Sequence, residues 1–224
     1  LLIMIGGVLV NFVLALFIYS MIMFAWGESY FKVSDMRMGM QFNEQAKALG
    51  FKDKDVMLGT NEGAFREYAN VNGDFFRQIA QSKYVEVLRD GKKTRIEMPG
   101  DIDMLSMIKD RPLFAEPYIP ARIDSILGDS PAKKVGLKAG DLLKSINGKP
   151  VETWADMNYQ MAVLSDVAAV KTTHKDSMKL RNVILTVQRS GTNKLDTIKM
   201  QLNPELKMGV AQSTLLSYYK PTKE

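Results

Sequence analysis

Residues 1–27 carry no charged side chain, while all 30 Lys and Arg and all 25 Asp and Glu fall between Glu28 and Glu224. That asymmetry restricts the chain more than any other feature. About 20 apolar residues, each rising about 1.5 Å, cross a hydrocarbon layer of about 30 Å. The run from Leu1 to Trp26 is long enough, and it predicts one transmembrane helix with Trp26 at the interface, where an amphipathic ring is favoured. A secretory signal would need a basic start, a shorter apolar stretch and a small-residue cleavage site, and none is visible. Leu1 is not an initiator Met and lies inside the apolar run, so the expectation is a fragment of a longer protein. Gly7 and Asn11, four apart, share one helix face. Gly admits a close neighbouring helix and Asn in lipid seeks a partner, so both are expected to face protein.

The rest of the chain has an ordinary globular composition, with 25% charged residues overall and a net charge of +5. Its densest basic pairs, Lys92-Lys93 and Lys133-Lys134, are too small for a nucleic-acid stripe. There is no Cys, which excludes disulfides, thiol catalysis and cysteine-held metals. His174 is the only His, so any zinc site or Ser-His-Asp triad within this chain would have to use it. It reads as a solvated loop residue. Asp101 and Asp103 read as solvated loop carboxylates.

The charged part contains a repeat. Ala46 to Leu58 aligns with Ala132 to Lys144 at an offset of 86 residues, and Asn61 with Asn147; farther on, Leu88-Arg89-Asp90-Gly91 aligns with Gln188-Arg189-Ser190-Gly191 at an offset of 100. The second copy thus carries an insertion, most simply within 165–180. In that copy Ile119 to Ile126 reads as extended and Ser130-Pro131 as a helix start, with Gly136 as its stop. Asp141 to Ile146 reads as a strand, Asn147-Gly148 as a hairpin turn, Trp154 to Leu164 as a helix, and Val183–Arg189 with Asp196–Leu202 as a hairpin. The first copy has a strand at Val56–Leu58, a helix at Asp74–Gln81 and a hairpin of Tyr84–Arg89 with Thr94–Met98. Residues 100–120 read as turn-rich, and the boundary between copies is expected near residue 110.

The nineteen residues Ser130-Pro131-Ala132-Lys133-Lys134-Val135-Gly136-Leu137-Lys138-Ala139-Gly140-Asp141-Leu142-Leu143-Lys144-Ser145-Ile146-Asn147-Gly148 closely resemble the signature of bacterial PDZ domains. The first copy is a degenerate version, with Lys54 in place of the second Gly. One membrane helix with Gly7-Val8-Leu9-Val10-Asn11-Phe12 followed by two such copies resembles the middle of a site-2 protease of the RseP type, as does Arg111-Pro112-Leu113-Phe114-Ala115-Glu116-Pro117. The resemblance implies a membrane-anchored fold: a transmembrane α-helix (1–27), then two small α+β PDZ-like domains (28–110 and 111–207), each a partly open β-barrel capped by helices. Residues 208–224 would then be a linker towards a further membrane helix.

That family comprises intramembrane zinc metalloproteases of regulated intramembrane proteolysis. The resemblance implies the bacterial inner membrane, periplasmic PDZ domains, zinc, and single-pass membrane substrates of the anti-sigma-factor type or their trimmed C-termini. The PDZ pair would act as a filter. The family's H-E-x-x-H and L-D-G motifs do not occur here, so this chain carries no catalytic or metal residue of its own and is expected to be inactive alone. The rival reading is a non-enzymatic, membrane-anchored PDZ adaptor. An anchored serine protease is disfavoured, because no G-x-S-x-G occurs. A PDZ groove lies between a strand and a helix and takes a peptide as an added strand. Tyr118, Ile119, Met157, Met161 and Leu164 are the groove candidates. Pro117 and Pro120 lack the N–H that strand addition needs, so recognition is expected to be weak, down to purely steric.

Overall fold

The computed structural model describes residues 2–26, 29–68, 74–170 and 178–223. His174 lies outside them. Helix α1 (Leu2–Trp26) contains Gly6–Ala25, a stretch of mean hydropathy 2.4 with none of it buried, which makes it a candidate membrane span. Gly7 and Asn11 are both exposed on it, and nothing lies within 4 Å of a Cβ placed at Gly7. Among the described residues, their shared face therefore meets no protein.

Strand β1 (Ser29–Tyr30) follows, then β2 (Met40–Phe42), α2 (Glu44–Ala48), β3 (Val56–Thr60), β4 (Gly63–Ala64), α3 (Asp74–Gln81), β5 (Tyr84–Arg89), β6 (Lys92–Glu97), α4 (Met104–Lys109) and β7 (Ala115–Pro117). The second half runs β8 (Ile123–Ile126), α5 (Pro131–Lys134), β9 (Leu142–Ile146), β10 (Lys149–Pro150), α6 (Trp154–Val170), β11 (Asn182–Gln188), β12 (Leu195–Gln201), β13 (Val210–Gln212) and β14 (Thr222–Lys223). Two antiparallel four-stranded sheets recur with the same topology, β4-β3-β5-β6 and β10-β9-β11-β12. Each covers its own core. One gathers Phe42, Phe51, Phe75, Phe76 and Phe114; the other gathers Ile146, Trp154, Leu185 and Leu202.

The local signals act as their chemistry requires. Ser130 accepts a hydrogen bond from the Lys133 N–H (3.3 Å), with Pro131 at the first helical position. Asn43 accepts likewise from Ala46 at the start of α2. Asn147 and Gly148 both have positive φ (50° and 79°), as a two-residue type I′ hairpin demands.

The repeat extends to a shared ion-pair network. Asp141 is buried and accepts from Arg189 Nη1 (2.7 Å) and from the Lys138 N–H (3.0 Å), while Arg189 also donates to the Gly136 carbonyl (2.9 Å). Asp55 accepts from Arg89 Nη2 (2.6 Å) and from the Lys52 N–H (2.9 Å), while Arg89 donates to the Gly50 carbonyl (2.8 Å). These are the positions the offsets of 86 and 100 pair. Lys54 stands at φ 74° where Gly140 has φ 86°, so the first copy keeps the left-handed turn without its glycine.

Several elements depart from the sequence reading. Residues 100–120 are not all turn: α4 forms there, and Asp103 is its N-cap, accepting from the Leu105 N–H (2.8 Å), and not merely a solvated carboxylate. Helix α6 continues to Val170, so part of the insertion prolongs it to 17 residues against the 8 of α3. Phe114 and Ala115 pack in the first core and β7 pairs with β2, so the first body extends past residue 110. Residues 208–223 are folded and do not form a free linker. Met208 is buried in the second core, β13 pairs with β8, and Leu215 and Tyr219 pack on the first core. Burial of the apolar Met208, Leu215 and Tyr219 favours holding the segment against the two cores.

Candidate functional site

A cavity of about 780 Å³ opens between the segment 111–119 and the first half of α6. One wall is Pro112, Leu113, Glu116, Pro117 and Ile119. The facing wall is Trp154, Ala155, Asn158, Tyr159 and Ala162. Gln212, Thr214, Leu215 and Leu216 close one side, and Phe31 and Tyr68 from the first body close another. The walls are mostly apolar with a few polar groups, as small-ligand and peptide sites are. A second depression of about 310 Å³ surrounds the β11–β12 turn. Its Arg189 and Gln188 are already held by Asp141, Asp196 and Asn193, which leaves little for a ligand.

Helix periodicity decides which α6 residues reach the cavity. Positions 155, 158, 159 and 162 form one stripe, and 154, 157, 161 and 164 form the neighbouring one. Met157 is buried in the second core, and Met161 and Leu164 pack against it. These three groove candidates therefore pack on the core, and Ala155, Asn158, Tyr159 and Ala162 line the cavity. Among the candidates, Ile119 lines the cavity. Tyr118 turns its hydroxyl to Glu152 (2.8 Å), and its ring lies beneath Lys54 Nζ, 5.0 Å from the ring centroid. Burial, and then the bond to Glu152, raise its hydroxyl pKa above the ordinary value. The helix starts at Trp154 as the sequence reading has it, and the stripe lining this cavity lies beside the stripe that reading named. Trp154 is both buried in the core and part of the wall; its Nε1–H donates to the Arg122 carbonyl (3.1 Å).

The mouth of α6 is fixed by a capping pair the sequence reading missed, Thr153 and Asp156. The Asp156 N–H donates to Thr153 Oγ1 (3.2 Å), and the Thr153 N–H donates to Asp156 Oδ2 (3.1 Å). This is the reciprocal capping arrangement, with Asp in the usual Glu place, and the T-x-x-D spacing was its signal. Gln41 on β2 reaches across from the first body, donating to Asp156 Oδ1 and accepting from Thr153 Oγ1.

The strand wall is largely spoken for. Strand β7 pairs with β2 in the register Met40↔Pro117, Gln41↔Glu116 and Phe42↔Ala115. The Phe114 carbonyl accepts from Asn43 and the Tyr118 N–H donates to Gly39, so even-numbered residues direct their backbone groups at β2. Odd-numbered residues direct theirs away from it. There Pro117 has no N–H, and the Ile119 carbonyl already accepts from Trp154 N–H (2.9 Å). Strand addition to this edge has only a short stretch available.

Glu116 is the half-buried charged residue of this wall. Its Oε1 accepts from the Leu113 N–H (2.8 Å). Burial raises its carboxyl pKa above the usual carboxylate range; the Leu113 bond and the Arg111 charge oppose this, and Asp156 adds to it. Tyr68, buried beside it, is raised by desolvation first and by the Glu116 charge second. No group of three or more His, Cys, Asp or Glu side chains converges among the described residues, so these residues do not fit a zinc ion.

Residues 108–171 match the family model of the PDZ domain. Over 73% of its length the chain is 27% identical to a protein of Clostridium acetobutylicum named as a candidate zinc metalloprotease, of which the alignment covers 48%. Over 74% of its length it is 26% identical to a protein of Borreliella burgdorferi named in the same way, with 36% of that protein covered. Over 34% of its length it is 32% identical to the periplasmic serine endoprotease DegP of Escherichia coli, with 16% covered. The chain thus spans about half or less of these relatives. The metalloprotease relatives and the PDZ match support the resemblance to a PDZ-bearing section of a site-2 protease.

Proposed function

We propose that this chain is the PDZ-bearing section of an intramembrane zinc metalloprotease acting in regulated intramembrane proteolysis. Helix α1 crosses the bacterial inner membrane, and the folded part stands on its periplasmic side as two PDZ-like domains, the first degenerate. The zinc and its ligands belong to parts of the protein outside this sequence. The folded part acts as a filter, admitting single-pass membrane substrates of the anti-sigma-factor type once another protease has trimmed them. One observation carries the reading. The similarity to two candidate zinc metalloproteases runs over about three quarters of the chain, far beyond the PDZ match. The equivalent Asp–Arg networks support reading the first, degenerate copy as PDZ-like too.

The test has two parts. The reading frame around this sequence is expected to encode H-E-x-x-H on a preceding apolar helix and L-D-G on a following one. The full-length protein in membrane vesicles is expected to cleave a single-pass reporter with a short periplasmic tail, and to spare the same reporter carrying a bulky folded domain. A frame without either motif, together with vesicles that cleave neither reporter, would leave a membrane-anchored adaptor.

A further inference from the structure

The carboxylate end of the cavity is already filled by the chain itself. Where a peptide adds to a strand and presents its C-terminus, backbone N–H groups at the strand's start hold the terminal carboxylate. Here that start is the turn 112–114. Pro112 has no N–H to give. The Leu113 N–H donates to Glu116 Oε1 at 2.8 Å, and the Phe114 N–H donates to the Met107 carbonyl at 3.2 Å. The basic residue on the wall is partly engaged as well. Arg111 Nη1 donates to the carbonyls of Ile108, Lys109 and Asp110 (3.3, 3.4 and 3.0 Å) at the end of α4. Asp156, at the mouth of α6, adds a second negative charge near Glu116. A ligand carboxylate arriving here would meet two carboxylates, a turn with no free donor and a guanidinium whose Nη1 already serves three carbonyls.

We propose that Glu116 is a specificity-determining residue that stands in for a ligand's terminal carboxylate, so that the cavity takes the interior of an extended apolar peptide and rejects a free C-terminus. This rests on the cavity being the substrate-facing groove of the proposed filter. It changes what the filter reads. The groove senses a stretch of chain and not a freshly cut end, so trimming matters through the bulk it removes.

The test uses the whole chain in detergent micelles and one N-terminally labelled apolar heptapeptide, made as the free acid and as the C-terminal amide. Binding is read by fluorescence anisotropy against empty micelles. The wild type is expected to bind the amide about tenfold or more tighter than the acid, the scale of one charge-assisted hydrogen bond. Glu116→Ala frees the Leu113 N–H and is expected to reverse that order. Glu116→Gln keeps the acceptor on Leu113 while removing the charge, so it is expected to narrow the preference without reversing it. It also serves should Glu116→Ala fail to fold. A wild type that prefers the acid, or an acid-to-amide ratio unchanged in both variants, overturns the assignment of Glu116 while leaving the groove standing. Binding of neither peptide by any variant overturns the groove itself, and this inference with it.

Discussion

Replacing Asp141 with Asn is the sharpest probe of what holds the second body together. Asp141 is 1% exposed. Its Oδ2 accepts from Arg189 Nη1 and from the Lys138 N–H, and its Oδ1 accepts from the Ser190 N–H (3.0 Å). Asn keeps the shape but exchanges one acceptor for a donor. The less costly orientation points the new amide N–H₂ at Ser190, which leaves a buried donor facing a donor at about 1–3 kcal/mol. The bond to Arg189 also loses its charge partner. Breaking a buried ion pair costs about 3–5 kcal/mol, and Arg189 keeps Asp196 (2.8 Å) and partial exposure, so the lower end applies. The expected loss is about 3 kcal/mol, or about 1.5–2 M in the urea midpoint for a slope of about 1.5–2 kcal/mol/M. Trp154, buried in that core, reports the transition by its emission once Trp26 is replaced by Phe. Asp124→Asn, at an exposed site on β8, is the control and should stay within about 0.5 kcal/mol. A loss below about 1 kcal/mol for Asp141→Asn would refute the reasoning, because it would mean the pair is solvated and the repeated network is ornamental.

Glu116 carries a folded-state pKa raised above its ordinary value. Its contribution to stability is therefore complete below the unfolded-chain pKa and is lost as pH rises through the folded one. Glu116→Gln should lack that loss, so the difference in urea midpoint between variant and wild type should grow in the variant's favour from about pH 4 to about pH 7. Gly140→Ala places a Cβ 2.6 Å from Ser190 Oγ at φ 86° and should cost about 1–2 kcal/mol in the same assay. Lys54→Gly should change stability by less than about 1 kcal/mol, because relief at φ 74° is offset by loss of the Lys54–Tyr118 cation–π contact. In the full-length protein, Asn11→Leu should lower reporter cleavage more than it lowers the immunoblot level, since a packing Asn serves a neighbouring helix.

The parts legible in the sequence were those written in local chemistry. Ser130-Pro131, Gly136 and Asn147-Gly148 each need only their neighbours to act, and each acts as read. The offset of 86 residues carried more than an alignment, since it pairs Gly50, Lys52 and Asp55 with Gly136, Lys138 and Asp141 in one hydrogen-bond network. The inward stripe of α6 was not legible, because its composition does not favour one face: Met157, Tyr159, Met161, Ala162 and Leu164 place apolar side chains on both stripes. Packing against Ile123 and Leu185 chose between them. The role of β7 was equally hidden. Its partner β2 lies about 75 residues upstream, and no local rule announces a pairing of that separation. Glu116 escaped for the same reason; its signal is a bond to a turn whose other donors are consumed by α4.

The same long-range pairings set the distance of the cavity from the end of α1. Strand β1 pairs with β14, Ser29 with Lys223 and Tyr30 with Thr222, so residues 29–30 and 222–223 sit within one strand spacing of about 4.8 Å. Phe31, a wall of the cavity, is five residues beyond Trp26, the end of α1. Five residues span at most about 17 Å even when fully extended. If α1 crosses the bilayer, the cavity wall lies within that reach of its end. The gap is smaller than the diameter of a typical folded domain of 100 residues, whose radius of gyration alone is about 13 Å. A single-pass substrate carrying such a domain next to its membrane segment would have to displace either the folded part or itself. A trimmed substrate meets no such obstacle. Because the Gln41 bridge to Thr153 and Asp156 and the seat of Leu215 and Tyr219 on the first core join the two bodies, displacement of one carries the other. The proposed exclusion by bulk would need only this tether and clamp, and no affinity for a peptide terminus.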